Sequence, residues 1–198
     1  DPSAQSLWVA TLGDSKAIMF TKDELIQKTK NHKTNNPDEL KRVEEKGCKI
    51  ETQQLADGSR IPRIYVKGED YPGIAMTRSF GDFCVKDHGV IAVPDVVEWR
   101  LPEGTDSKDC YVLAASDGIW DFFPPTGVRR FLSDRLTESL SLHDAANRLF
   151  TKVEKRWGKD NPDYCDDLSL IIMAMTGNEL PTFEPSRFCD CLPMQKFA

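Results

Sequence analysis

Two apolar runs constrain this chain most, because each meets acidic residues at one end. Tyr111-Val112-Leu113-Ala114-Ala115 runs without a break into Ser116-Asp117-Gly118, and Leu168-Ser169-Leu170-Ile171-Ile172-Met173-Ala174-Met175 is preceded directly by Asp166-Asp167. Short apolar runs bounded by polar residues read as buried strands. If the two strands lie antiparallel in one sheet, the end of the first and the start of the second share a rim. Asp117 and Asp166 then meet there. Asp121, one helical turn beyond Asp117, returns to the same side. Gathered carboxylates repel, desolvation worsens the repulsion, and cations let them stay ionised together. Oxygen donors without His or Cys select Mg2+ or Mn2+ over Zn2+. Asp-Gly after a strand is also an ordinary turn, and Asp ahead of a strand an ordinary cap. These residues alone leave both roles open.

Elsewhere the punctuation is uneven. Leu7–Leu12 and Lys16–Phe20 read as strands joined through Gly13-Asp14-Ser15, a hairpin with Asp14 at its tip. A helix follows, with Asn36 as N-cap, Pro37 at its first position, Glu39 at capping-box spacing and Gly47 as its stop. Asp57-Gly58 signals a turn, Arg63–Val66 a short strand, and Tyr71-Pro72-Gly73 a break. Residues 76–89 lack a period. Val90–Pro94 and Val96–Trp99 read as one strand interrupted by proline. A helix is expected over 125–138. Ser141 caps another, in which Ala145, Leu149, Val153 and Trp157 recur every four residues. A polar loop from Gly158 to Cys165 leads to Asp166. Strands at both ends and tandem helices between the late strands predict an α+β fold with an antiparallel sheet.

Composition closes other routes. The 198 residues suffice for a domain with a sizeable core. No stretch approaches the roughly 18 apolar residues of a membrane span. A net charge of -6 speaks against a broad basic face for nucleic acid. The six cysteines contain no CxxC pair, and Cys110, inside an apolar run, reads as a small hydrophobe. No signal peptide or glycosylation sequon is present, so an intracellular chain, cytoplasmic or nuclear, with reduced thiols is expected. No cysteine has an arginine six positions on, as a cysteine phosphatase loop requires. GxxxxGK[ST] and HExxH are absent. His32, His88 and His143 stand at no helical spacing to one another and read as surface or packing residues.

Four ordered segments are familiar together: Gly13-Asp14-Ser15-Lys16-Ala17, Tyr71 through Asp82 (YPGIAMTRSFGD), Ala114 through Asp121 (AASDGIWD) and Asp166-Asp167-Leu168-Ser169. With Asn31-His32-Lys33 through Glu45, they resemble the metal-dependent serine/threonine protein phosphatases of type 2C, in a version nearer plant and protist members. The resemblance runs from about residue 7 to residue 175. It implies two packed antiparallel β-sheets flanked by helices. It implies hydrolysis of phosphoserine and phosphothreonine in phosphoprotein substrates by a metal-bridged hydroxide, with two Mg2+ or Mn2+ ions. Asp117 and Asp166 resemble the core metal ligands and the catalytic pair. Asp14 and Asp121 resemble ligands of a third, weaker metal, and Gly118 lets the chain pass close to the site. Asp166 takes the motif's first position ahead of Asp167. The family's Arg-bearing segment and Asp-Gly-His-Gly-Gly strand end have no counterpart here. Residues 1–176 are therefore expected to be the C-terminal part of a catalytic domain whose N-terminal third is absent, and 177–198 an extension. Such a chain would expose strand edges and apolar faces. It would need the missing part or a second copy of itself as partner, and would be inactive alone. The alternative is a phosphatase-like pseudoenzyme that binds a partner protein.

Overall fold

The computed structural model describes residues 6–54, 58, 60–106, 109–138, 140–162 and 164–175. Asp57, Cys189, Cys191 and the expected extension 177–198 lie outside the described residues. The strands are β1 (Ser6–Thr11), β2 (Lys16–Thr21), β3 (Leu25–Lys28), β4 (Lys49–Gln54), β5 (Arg60–Tyr65), β6 (Pro72–Ile74), β7 (Asp95–Arg100), β8 (Cys110–Ala115) and β9 (Leu170–Ala174). The helices are α1 (Pro37–Glu45), α2 (Asp117–Trp120), α3 (Pro125–Thr137) and α4 (Leu142–Asp160), with a 3-10 helix at Phe83–His88. Antiparallel sheets and helices make the expected α+β fold. Among the described residues the strands form sheets ordered β3-β2-β8-β9, β4-β5-β6 and β1-β7.

The chain divides into two compact units. The first contains residues 17–28 and 100 onward. In it β8 and β9 pair antiparallel from Tyr111 opposite Ala174 to Ala115 opposite Leu170, as the apolar runs predict. Ile18, Phe20, Leu113 and Ala115 from the sheet meet Val128, Phe131 and Leu132 of α3 and Ala145, Leu149, Val153 and Trp157 of α4. Ser141 accepts from the Asp144 amide at the start of α4. The helix does not stop at Gly158 but runs to Asp160. One glycine is tolerated in a helix whose apolar face is anchored as far as Trp157. Cys110 is buried as expected, and burial pushes its thiol up to about 11.

The second unit contains residues 7–16 and 29–99. Its core joins Val43 of α1, Ile64 of β5, Val85 of the 3-10 helix and Val90. Asn36 accepts from the Asp38 amide, confirming the N-cap. Glu39 does not complete a capping box. It is buried and receives both guanidiniums of Arg42 and Arg78 and the Thr77 hydroxyl, with Arg42 and Arg78 each at 2.6 Å. Burial would raise its carboxyl, but hydrogen bonds from Arg42, Arg78 and Thr77 outweigh burial and hold it well below the usual range. Tyr71–Gly73 is not simply a break: Pro72–Ile74 forms the edge strand β6, where a missing amide costs the ladder little.

Lys16–Phe20 is a strand, but it does not close a hairpin with Leu7–Leu12. β1 lies beside β7, and β2 lies between β3 and β8. Gly13-Asp14-Ser15 therefore passes the chain from one sheet to another. Exposed apolar side chains include Trp8 of β1, Val96 and Val97 of β7 and Ile171 of the edge strand β9, and, off the strands, Tyr71, Phe80, Phe83, Val93 and Tyr164. Among the described residues, no helix is long and apolar enough to cross a membrane.

Candidate metal centre

The rim is built by the last residues of β8 and the approach to β9. Ala115 stands opposite Leu170, so the chain leaving β8 and the chain entering β9 run side by side beyond the ladder. Ser116 stitches them. Its amide donates to Ser169 O at 3.0 Å, its hydroxyl donates to Asp167 O at 2.8 Å, and it accepts from the Ser169 amide at 3.0 Å. α2 then makes a single turn, closed by the Asp121 amide on Asp117 O at 2.9 Å. This turn puts Asp121 back over Asp117.

Asp117, Asp121 and Asp166 converge. Each offers one carboxylate oxygen, and these lie within 4.8 Å of one another. Asp117 and Asp166 are half-buried and Asp121 is exposed. At 4.8 Å a pair of unit charges repels by about 3.5 kcal/mol at an effective dielectric near 20, and more at shorter range. Tyr164 senses the same field. Partial burial raises its phenol first, and the charges of Asp166, Asp117 and Asp167 raise it further. The donors are all hard oxygens, which fits Mg2+ or Mn2+. Asp167 is not in the group. Its amide donates to Asp166 Oδ1 at 2.8 Å, and its carbonyl is tied to Ser116.

Gly118 has a steric reason to be glycine. A Cβ there would stand 2.8 Å from Asp167 O and 2.9 Å from Leu168 Cδ2. Its carbonyl accepts from the buried Trp157 indole at 2.8 Å, and Trp120 similarly donates to Ala115 O at 2.9 Å. The site thus rests on α4 through one indole and on β8 through the other. The sequence places Trp157 on the apolar face of α4 and Ser116 and Trp120 in the AASDGIWD segment, but ties none of them to the site. A buried indole N–H or a hydroxyl calls for a partner, but residue type does not say which carbonyl it meets.

Asp14 belongs to the second unit and is not among the three. Its carboxylate meets Lys33 Nζ at 2.9 Å. The turn around it is clamped from residue 32: the Gly13 amide donates to His32 Nδ1 at 3.1 Å, and the His32 amide donates to Gly13 O at 2.9 Å. His32 is fully buried, with Nε2 3.2 Å from Asp95 Oδ2. Arg78 joins that carboxylate to Glu39. Of the two readings given for His32, surface or packing, the structure shows packing, and Arg78 is part of the same buried scaffold. Ser79 receives Lys86 Nζ on its hydroxyl at 2.9 Å, and Asp82 turns the chain into the 3-10 helix at φ 57°.

Residues 3–161 match the model of the Protein phosphatase 2C family. This chain belongs to that family. The match ends ahead of Asp166, which the strand register supplies. Among relatives of the family, it is 33% identical over 178 residues to "Probable protein phosphatase 2C 64" of Oryza sativa subsp. japonica, covering 86% of this chain and 39% of the relative. It is 39% identical over 173 residues to "Probable protein phosphatase 2C 18" of Arabidopsis thaliana, covering 85% and 32%. The chain thus spans well under half the length of these relatives. A crystal structure of a phosphatase from a pathogenic strain of Toxoplasma gondii superposes with a TM-score of 0.67 at 26% identity, covering 89% of this chain and 50% of that one. A serine-threonine phosphatase 2C from Toxoplasma gondii, at 21% identity and a TM-score of 0.67, shares the fold.

Proposed function

We propose that this chain carries the Asp117–Asp121–Asp166 portion of the active site of a Mg2+- or Mn2+-dependent phosphatase acting on phosphoserine and phosphothreonine in proteins. The observation that carries this reading is the convergence of the three carboxylates on the β8–β9 rim. Asp117 and Asp166 would hold the catalytic metals, with Asp121 beside them. Asp14, once released from Lys33, would serve a weaker site. When bound, divalent ions supply Lewis-acid charge for the phosphoryl oxygens and acidify the attacking water. The protein's part is positioning. Ser116 fixes the two rim segments, Gly118 permits their close approach, and Trp157 anchors the turn that carries Asp117. Residues 1–176 would act as one part of a longer catalytic domain, with 177–198 as an extension beyond it.

The test is Mn2+-dependent phosphate release from phosphoserine and phosphothreonine peptides by the natural full-length protein. Loss on Asp117→Asn and on Asp166→Asn is expected, with little turnover by the 198-residue chain alone. Turnover indifferent to both substitutions would refute the assignment. A pseudoenzyme that only binds a partner would show no carboxylate-dependent Mn2+ binding.

A further inference from the structure

α4 bears a second surface beside its buried face. Arg148, Lys152, Lys155, Arg156 and Lys159 fall on one stripe of the helix, and all five are exposed. In a chain of 26 basic and 32 acidic residues this is a local reversal of sign. Two carboxylates adjoin the stripe: Asp144, bonded to the Ser141 hydroxyl, and Asp160, paired with Arg156 at 2.7 Å.

The stripe is furrowed. Two grooves, of about 550 and 460 Å³, share Lys152 and Lys155. The second is walled by Phe122 and Phe123. Lys152 Nζ stands 5.2 Å from the Phe123 ring centre and 4.7 Å from that of Phe131, and the Arg156 guanidinium stands 5.7 Å from Phe122. This groove is tied to the carboxylate rim through neighbouring residues. Phe122 follows Asp121 and meets the Trp157 ring edge-on at 4.7 Å, and Trp157 donates to Gly118 O.

We infer that this surface docks an acidic peptide segment, the stretch flanking the phosphorylated residue of a protein substrate. An apolar side chain of that segment would lie on Phe122 and Phe123, and its carboxylates along Lys152, Lys155 and Lys159. The occupant's identity as substrate rests on the phosphatase reading; the binding chemistry does not. Lysine ammoniums are point charges that accept carboxylates in many geometries. A single-helix stripe beside an aromatic groove suits an extended chain. A nucleic acid or an anionic bilayer would extend beyond the stripe and meet the repulsion of the acidic protein around it, whereas a short acidic segment stays within it.

The experiment is fluorescence anisotropy of the full chain, without divalent metal, against a labelled Glu-rich peptide containing one Leu, and against the same peptide with Lys in place of Glu. The acidic peptide alone should bind. Added salt should weaken it, and the double variant Lys152→Glu, Lys155→Glu should weaken it by about tenfold or more. Circular dichroism of that variant should match wild type, because both side chains are exposed. Measured without metal, this result stands even if the protein proves to hydrolyse nothing. In the natural enzyme, the same variant should lower kcat/KM on acidic phosphopeptides and leave p-nitrophenyl phosphate turnover unchanged. Equal binding of the two peptides, indifference to the double variant in a folded protein, or tighter binding of anionic vesicles or single-stranded RNA would overturn the inference.

Discussion

Gly118→Ala separates steric need from helix propensity. Alanine favours a helix over glycine by up to about 1 kcal/mol, so propensity alone predicts stabilisation. Geometry opposes it. The new Cβ would stand 2.8 Å from Asp167 O, inside the 3.4 Å at which ordinary contact begins, so the carbonyl must retreat by 3.4 − 2.8 = 0.6 Å. It cannot do so freely, because the Ser116 hydroxyl holds it at 2.8 Å and Leu168 crowds the same space at 2.9 Å. Overpacking of this kind costs about 1–3 kcal/mol, which outweighs the propensity gain. We expect a net loss of about 1–2 kcal/mol in urea unfolding followed by tryptophan fluorescence, and a roughly tenfold weaker Mn2+ site as the Asp166 segment is pushed away. Gly158→Ala is the control. It lies in α4 with nothing within 4 Å of its added Cβ, and should stabilise by about 0.5–1 kcal/mol. Equal responses of the two variants would refute the steric argument.

Glu39→Gln should cost about 3 kcal/mol near neutral pH, since it leaves two guanidiniums facing a neutral group in a buried site. The folded-state carboxyl is depressed from an ordinary 4.5, so the stability it contributes is present above that value and is lost as pH falls below it. The wild-type decline in acid should therefore be steeper than that of the variant, read by urea midpoints across the acid range. Trp157→Phe keeps the edge contact with Phe122 but strands Gly118 O, and should lose about 1–3 kcal/mol by the same assay. Lys33→Met removes the cation that occupies Asp14, and should tighten the weaker Mn2+-binding step severalfold in calorimetry while leaving the stronger one unchanged.

The legible parts of the fold were those whose burial writes a period. β8 and β9 are continuous apolar runs, and α4 repeats its core residues every four positions from Ala145 to Trp157. Their register carried Asp117, Asp121 and Asp166 to one rim without further information. β3 and β4 were illegible because Leu25–Lys28 is only four residues long and Lys49–Gln54 is mostly polar, so neither writes an apolar period, although Leu25 and Ile50 each pack against a core. The hairpin reading of Leu7–Phe20 failed because a tight turn signal does not say which sheet each arm joins. Glu39 sits at capping-box spacing, yet Arg78, 39 residues away, outcompetes a local amide as its partner. Ser116 and Trp157 support the site through backbone carbonyls, a contact that residue type alone does not announce.

Isothermal calorimetry of Mn2+ into the 198-residue chain and its Asp117→Asn, Asp121→Asn and Asp166→Asn variants tests the central claim most directly. Saturable binding to the wild-type chain is expected, weakened about tenfold or more by neutralising Asp117 or Asp166 and less by Asp121, the exposed member. Binding heats that are the same for all four proteins, or the absence of binding to a folded wild-type chain, would contradict it.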